Sequence, residues 1–221
     1  MISTISIFEP LYPLLSLARL RMGTDGNGVT TLIAGAGCPL RCRWCINARL
    51  LREAPARSVT AAELIERVKI DDLYFRATGG GVTFGGGESL LHTAFIRRFR
   101  ELCPPEWRVR AETSLAVPGE LIEGSLGAVD EYMVDCKDMN PEIYRRYTGG
   151  EAAFMQANLR LLLEKLGPER VLVRVPRIPG YNTVEDQEKS AAALRAMGVQ
   201  RLDLFDYVIR DGENTPEEQN G

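Results

Sequence analysis

The stretch "GVTTLIAGAGCPLRCRWCINARL" (28–50) decides how this chain is to be read. Its opening, Gly28 to Gly37, is β-branched and apolar and ends in glycines, the composition of a strand. Cys38, Cys42 and Cys45 follow at once, spaced C-x3-C-x2-C, with Trp44 just before the last. Gly37 and Pro39 keep the first cysteine off a regular helix. A structural zinc site wants four Cys or His ligands in closed tetrahedral geometry. Only three candidates lie here, and the single histidine, His92, is far away in sequence. Soft thiolates also suit iron–sulfur clusters. A four-iron cluster held by three cysteines leaves one iron without a protein ligand, and an open position distinguishes a working metal from a structural one. The plainer alternatives are three buried small hydrophobes or one incomplete zinc site.

The rest of the composition narrows the setting. A chain of 221 residues suits one domain with a substantial core. It is 45% hydrophobic and 26% charged with a formal net charge of −3, a balance that argues against a nucleic-acid or anionic-membrane surface. No apolar run approaches the roughly 18 residues of a membrane span. The start lacks a basic leader and is interrupted by Glu9, Pro10 and Pro13, so it reads as part of the fold and not as a signal peptide. The five cysteines are odd in number and three are clustered, which is not a disulfide framework. In a cytoplasmic protein, the expected setting, such a cluster points to metal binding or catalysis. Cys103 and Cys136 are expected to be structural thiols.

Beyond the cluster the pattern alternates. Strands are expected at 28–37, 81–86, 107–113, 131–137, 170–178 and 201–209. Helices are expected from the capping box Thr60-Ala-Ala-Glu63 to about Lys69, over 89–103, after Pro118, from about 141 and 152, and from the N-cap Thr183 to Met197. Repeated strand–helix alternation implies a parallel sheet, either doubly wound or a complete or partial β/α barrel. In both, functional residues gather at the C-terminal ends of strands. Cys38 to Cys45, Gly85 to Glu88, Glu112 and Thr113, Asp135 and Lys137, and Arg174 all fall there. One domain over 1–210 is expected, with a polar tail at 211–221 that reads as disordered. His92 is expected to be an exposed helix residue without a role. Arg41, Arg43, Arg49 and Arg52 form a basic patch that suits an acidic partner or a solvated loop.

"CPLRCRWC" (38–45) resembles the cluster motif of the radical S-adenosylmethionine (radical SAM) superfamily. Four further stretches resemble one branch of it, the glycyl-radical-enzyme activating enzymes, among them the activator of pyruvate formate-lyase. These are "TDGNGVTTLIAGAG" (24–37), "GVTFGGGESLL" (81–91), "DCKDMNPEIYRRYTGG" (135–150) and "VRVPRIPGYNT" (173–183). They occur in matching order between about Asp25 and Leu204.

The resemblance implies a partial (β/α)6 TIM-like barrel. It implies a [4Fe-4S] cluster on Cys38, Cys42 and Cys45, and reductive cleavage of SAM to methionine and a 5′-deoxyadenosyl radical. That radical would take a glycine Cα hydrogen from a partner glycyl radical enzyme, with electrons from a flavodoxin- or ferredoxin-type donor. Trp44 would lie close to SAM, and Gly86, Gly87 and Glu88 would receive its amino group. Asp135 and Lys137 match the catalytic Asp-x-Lys pair near SAM, and Arg174 an arginine near its carboxylate. Glu112, Thr113, Met133 and Asp135 match positions that bind a monovalent cation in some activases, with Glu112 in place of the usual Asp. Other departures are Gly85 and Ser89, where the branch has Ser and Pro flanking the GGE triplet, and Val208, where it has a histidine. They motivate two alternatives: radical chemistry on a small molecule or peptide, or a non-catalytic cluster- or zinc-binding protein.

Overall fold

The computed structural model describes residues 9–209. The expected tail at 211–221 and the first residues of the 1–210 domain lie outside the described residues.

All six expected strands form: β2 (Val29–Gly35), β4 (Gly81–Gly86), β5 (Arg108–Thr113), β6 (Glu131–Asp135), β7 (Val171–Arg177) and β8 (Arg201–Asp206). They pair in parallel and in chain order, β2-β4-β5-β6-β7-β8. A doubly wound sheet would reverse its strand order at a switch point; this one does not, which selects the barrel alternative. The sheet ends at β8 without closing onto its other edge among the described residues, so the barrel is partial.

Two strands escaped the sequence reading. β1 (Tyr12–Met22) runs antiparallel between β2 and a short strand β3 (Arg57–Val59). Register shifts between Leu14 and Ser16 and between Ala18 and Arg21 break its period-two alternation, and Leu20 takes a positive φ of 53°. Bulges of this kind bend and end edge pairing, and they erase the pattern by which a strand is recognised.

The outer face of the sheet carries Ile33, Val82, Phe84, Val109, Ala111, Tyr132, Val134, Val171 and Val173, all buried. Helices cover it: α2 (Ala61–Val68), capped at Thr60 by the expected box, α4 (Thr93–Leu102), α5 (Gly119–Ser125), α7 (Ala152–Leu166) and α8 (Val184–Ala196). Two helices the sequence reading did not separate, α1 (Ala48–Glu53) and α3 (Asp72–Thr78), follow the cysteine loop and precede β4; α6 (Pro141–Thr148) follows β6. Phe84 meets Phe95 and Phe99 edge to face at 6.2 and 5.2 Å between centroids, the arrangement aromatic quadrupoles favour, and Trp107 lies tilted against Phe99 at 6.5 Å.

Alternation gives the inner face a different character. Thr83, Arg110 and Glu131 stand in register on β4, β5 and β6, and further along lie Gly85, Glu112, Met133, Asp135 and Arg174. Towards the strand starts, Arg110 pairs with Glu131 at 2.9 Å and donates to the Asn27 carbonyl at 2.9 Å. Thr83 donates to the Asp25 carbonyl at 2.9 Å, and Arg21 pairs with the buried Asp25 carboxylate. A Cβ on Gly26 would stand 2.4 Å from the Arg110 side chain. The loop 24–28 therefore plugs the lower mouth of the barrel, and Gly26 is there because the guanidinium leaves no room for more.

Candidate active site

At the opposite, C-terminal end of the strands four charged side chains form a line. Arg174 on β7 donates through Nε to Asp135 at 2.8 Å and through Nη1 to Glu112 at 3.1 Å. Lys137, just past β6, donates to the other oxygen of Asp135 at 3.1 Å. Burial raises the Asp135 carboxyl, but Lys137 and Arg174 outweigh it and hold the acid below its usual range. Burial disfavours charge on Lys137, yet Asp135 and Cys42 nearby raise its pKa, so the ammonium stays charged. Glu112 goes the other way: burial lifts its carboxyl against the pull of Arg174. Period two along β6 puts Asp135 in this line and sends Cys136 into the core, where it is fully buried.

Beside the line, the turn Gly85–Glu88 leaves β4. Gly86 has φ +87°, and a Cβ on Gly87 would stand 2.1 Å from the Gly37 carbonyl. Only glycine tolerates both conditions. The turn is stitched to the cysteine loop by Gly87 N–H to the Gly35 carbonyl (3.0 Å), Glu88 N–H to the Gly37 carbonyl (2.8 Å) and the Asn47 amide to the Gly86 carbonyl (2.8 Å). Glu88 was expected to receive an amino group with its side chain. The structure puts that carboxylate to another use: it is 2% exposed and accepts from Thr113 Oγ1 (2.6 Å), Ser114 Oγ (2.6 Å), Ser114 N (2.8 Å) and Leu90 N (3.2 Å). Burial raises its carboxyl against the pull of the Ser114, Thr113 and Leu90 donors, and these four hydrogen bonds lock the turn to the end of β5. Asn47, Ser114 and Leu90 were missed by the sequence reading; the Asn two residues past the last cysteine was the one signal available.

The cysteine loop lies over the same end. Its three thiols are unbridged and half-buried. Cys42 lies within electrostatic range of Lys137, Cys45, Cys38 and Asp135, and burial pushes its thiol up to about 11. Burial also raises Cys38, which senses Glu88, Cys45 and Lys137. The loop is tied to α6 by Arg41 N–H to the Thr148 carbonyl (2.7 Å) and Arg43 N–H to the Tyr147 carbonyl (3.0 Å). Trp44 is held by its carbonyl, which accepts from the Tyr147 and Tyr207 hydroxyls; its indole N–H is buried without a protein partner among the described residues. Of the basic patch, Arg41, Arg43 and Arg52 are exposed, and Arg49 pairs with Glu53. His92 corrects an expectation: it is half-buried, lies 2.8 Å from the Ala36 carbonyl through Nε2 and meets Tyr12 edge-on at 5.0 Å. Its role is to brace the end of β2 and the approach to Cys38. Cys103 is buried, as expected.

Among the described residues no group of three His, Cys, Asp or Glu is close enough to hold one metal ion. A four-iron cluster distributes its thiolates over separate irons and does not need that closeness. The loop fits it: three soft donors, mutually sensed, with a cationic Lys137 nearby to favour the thiolate forms. The cradle of three glycines, the unpartnered Trp44 N–H and the balanced line of charges fit a ligand that carries both an ammonium and a carboxylate group.

Residues 32–199 match the sequence profile of the Radical SAM superfamily. The chain belongs to that superfamily. It is 33% identical over 189 residues to the pyruvate formate-lyase-activating enzyme of Clostridium pasteurianum, covering 83% of this chain and 77% of the relative. It is 32% identical over 139 residues to the indoleacetate decarboxylase activating enzyme of Tractidigestivibacter scatoligenes, 62% of this chain but 44% of that protein. This radical SAM chain thus spans less than half of one activating enzyme and about three quarters of the other. Among solved structures it superposes on SuiB of Streptococcus suis bound to S-adenosylmethionine, with a TM-score of 0.60 at 13% identity over 80% of this chain and 40% of that one. It also superposes on the coproporphyrinogen III oxidase HemN of Escherichia coli, with a TM-score of 0.52 at 14% identity over 96% and 56%. At such identities the likeness speaks for the fold alone. No helix among the described residues is long and apolar enough to cross a membrane.

Proposed function

We propose that this radical SAM chain is a glycyl-radical-enzyme activase that works in the cytoplasm. The observation carrying the reading is that Cys38, Cys42 and Cys45 share one end of the barrel with the Glu112–Arg174–Asp135–Lys137 line, Cys42 and Lys137 within electrostatic range. Cys38, Cys42 and Cys45 would hold a [4Fe-4S] cluster, whose chemistry when bound is to pass one electron to SAM, yielding methionine and a 5′-deoxyadenosyl radical that takes hydrogen from a glycine Cα.

The chain's own groups bind and orient. The Gly86–Gly87 backbone, fixed by Glu88 and Asn47, offers close approach to an ammonium group. Lys137 and Arg174 present cations to a carboxylate, and Asp135 keeps both in place. Trp44 supplies an indole N–H that no described residue uses. The open edge at β8 admits a segment of a partner protein. Arg41 and Arg43, exposed on either side of Cys42, suit an acidic flavodoxin- or ferredoxin-type donor.

Anaerobic reconstitution with iron and sulfide, then dithionite and SAM, tests the reading by mass spectrometry of 5′-deoxyadenosine. Deuterium passing from a Cα-deuterated glycine of a candidate partner into deoxyadenosine supports the activase reading. Deoxyadenosine that takes deuterium only from a small molecule or peptide replaces it, and iron loading without any deoxyadenosine defeats it.

A further inference from the structure

Three departures from the activase pattern meet at one place: Gly85 and Ser89 from the end of β4 and the turn after it, and Glu112 from β5. The Glu112 carboxylate sits over Gly85, where an added Cβ would stand 2.7 Å from Oε2. A side chain there would make the Glu112 carboxylate shift from its place; glycine leaves it where Arg174 holds it. Ser89, where the pattern has a proline without a hydroxyl, donates through Oγ to the Glu112 main-chain carbonyl at 2.7 Å. The extra methylene of Glu112 carries its carboxylate to Arg174, 3.1 Å away, while the same guanidinium holds Asp135 at 2.8 Å.

We infer that the guanidinium of Arg174 bridges Glu112 and Asp135 in place of the monovalent cation that the resemblance to some activases implies at these positions, so that this chain binds SAM without such an ion. The inference rests on the proposed binding of SAM at this site.

Charge and ligand supply both support it. Two carboxylates, Glu112 and Asp135, already face two cations, Arg174 and Lys137, across contacts of 2.8–3.1 Å. A further cation would enter a compensated site and meet like charges at close range. Thr113, expected among the ion's ligands, is engaged: its hydroxyl donates to Glu88 at 2.6 Å and accepts from Leu115 N–H at 2.9 Å. Both carboxylates are partly shielded from water, Glu112 with 19% and Asp135 with 30% of its side chain exposed, so a guanidinium attached to β7 has an advantage over an ion that must first shed its hydration. Arg174 still has Nη2, which no residue of the chain engages among the described residues, for a ligand carboxylate.

The test is the SAM dissociation constant of the reconstituted protein, by calorimetry, in potassium, sodium and tetramethylammonium chloride at equal ionic strength. The expected result is agreement within about threefold, and a larger loss in tetramethylammonium overturns the inference. The paired substitution Gly85→Ser with Glu112→Asp restores the shorter acid, and SAM binding should then tighten about tenfold in potassium. Indifference of that variant to potassium, with its iron intact, overturns the role given to Glu112 and Arg174. If the variant fails to load iron, the wild-type comparison decides alone. Deoxyadenosine is assayed in the same salts: its absence from all of them counts against the enzyme reading and leaves the binding result standing.

Discussion

The side-chain amide of Asn47 donates to the carbonyl of Gly86 at 2.8 Å and so joins the loop that carries the cysteines to the turn that follows β4. It is the side-chain bond that, with the main-chain bonds of Gly87 and Glu88, couples two halves of the site. Asn47→Ala is expected to cost about 1 kcal/mol of stability and to weaken SAM binding about tenfold while iron content stays full. Titration of SAM into the reconstituted variant checks it; unchanged affinity would show that the turn holds its shape without Asn47.

Cys42 and Cys136 separate ligand from filler. Cys42→Ala should lose most of the bound iron and all deoxyadenosine formation. Cys136→Ala, deep in the core, should keep its iron and lose about 1 kcal/mol of stability from the small cavity it leaves. Iron and sulfide analysis on both variants decides the assignment, and full iron in Cys42→Ala would refute it.

Glu88 is expected to act through the turn. Glu88→Gln replaces one acceptor oxygen by an amide that faces donors from Thr113, Ser114 and Leu90, at a cost of about 1–3 kcal/mol. SAM affinity should fall with it, because the carbonyls of Gly86 and Gly87 lose their fixed aim. A thermal melt and a SAM titration on the same sample give both numbers, and a variant as stable as the wild type would contradict the packing described.

Asp71 gives the acid limb of stability. It lies in a short turn between α2 and α3, is fully buried, and accepts from Thr31 (2.7 Å) and Arg19 (2.9 Å). Burial raises its carboxyl, but Arg19 and Thr31 bring it below the usual range. A depressed folded-state pKa means that the stabilisation is present above the unfolded-state value and lost as pH falls through the folded one. Asp71→Asn should therefore cost about 1–3 kcal/mol near neutral pH, and the gap to wild type should begin to narrow at about pH 4, the unfolded-state value, and close only as pH falls through the lower folded-state one. Denaturant melts in steps from pH 7 down to about pH 2 measure it, and a gap that does not narrow anywhere along that acid limb would exclude ionisation as its origin.

What could be read in advance depended on period and spacing. The parallel strands are short apolar runs with glycine ends, and the C-x3-C-x2-C spacing survives any uncertainty in their boundaries. β1 was hidden because two register shifts and a positive φ at Leu20 break its alternation. The site was legible as a set of residues and much less so as a set of partners. Nothing in "GGGES" tells that the Glu88 carboxylate turns inward to Thr113 and Ser114, since those partners lie on another strand. His92 was misjudged for the same reason: its contacts, Tyr12 on β1 and Ala36 just past β2, come from earlier in the chain.

The plug at residues 24–28 has a consequence for traffic. With Arg110 and the main chain of Asp25 to Asn27 sealing the floor, the barrel is a cup and not a tunnel. Among the described residues the ways out from above that floor are the rim and the edge at β8, so under the proposed activase reading a partner's segment and a spent nucleoside use the same openings.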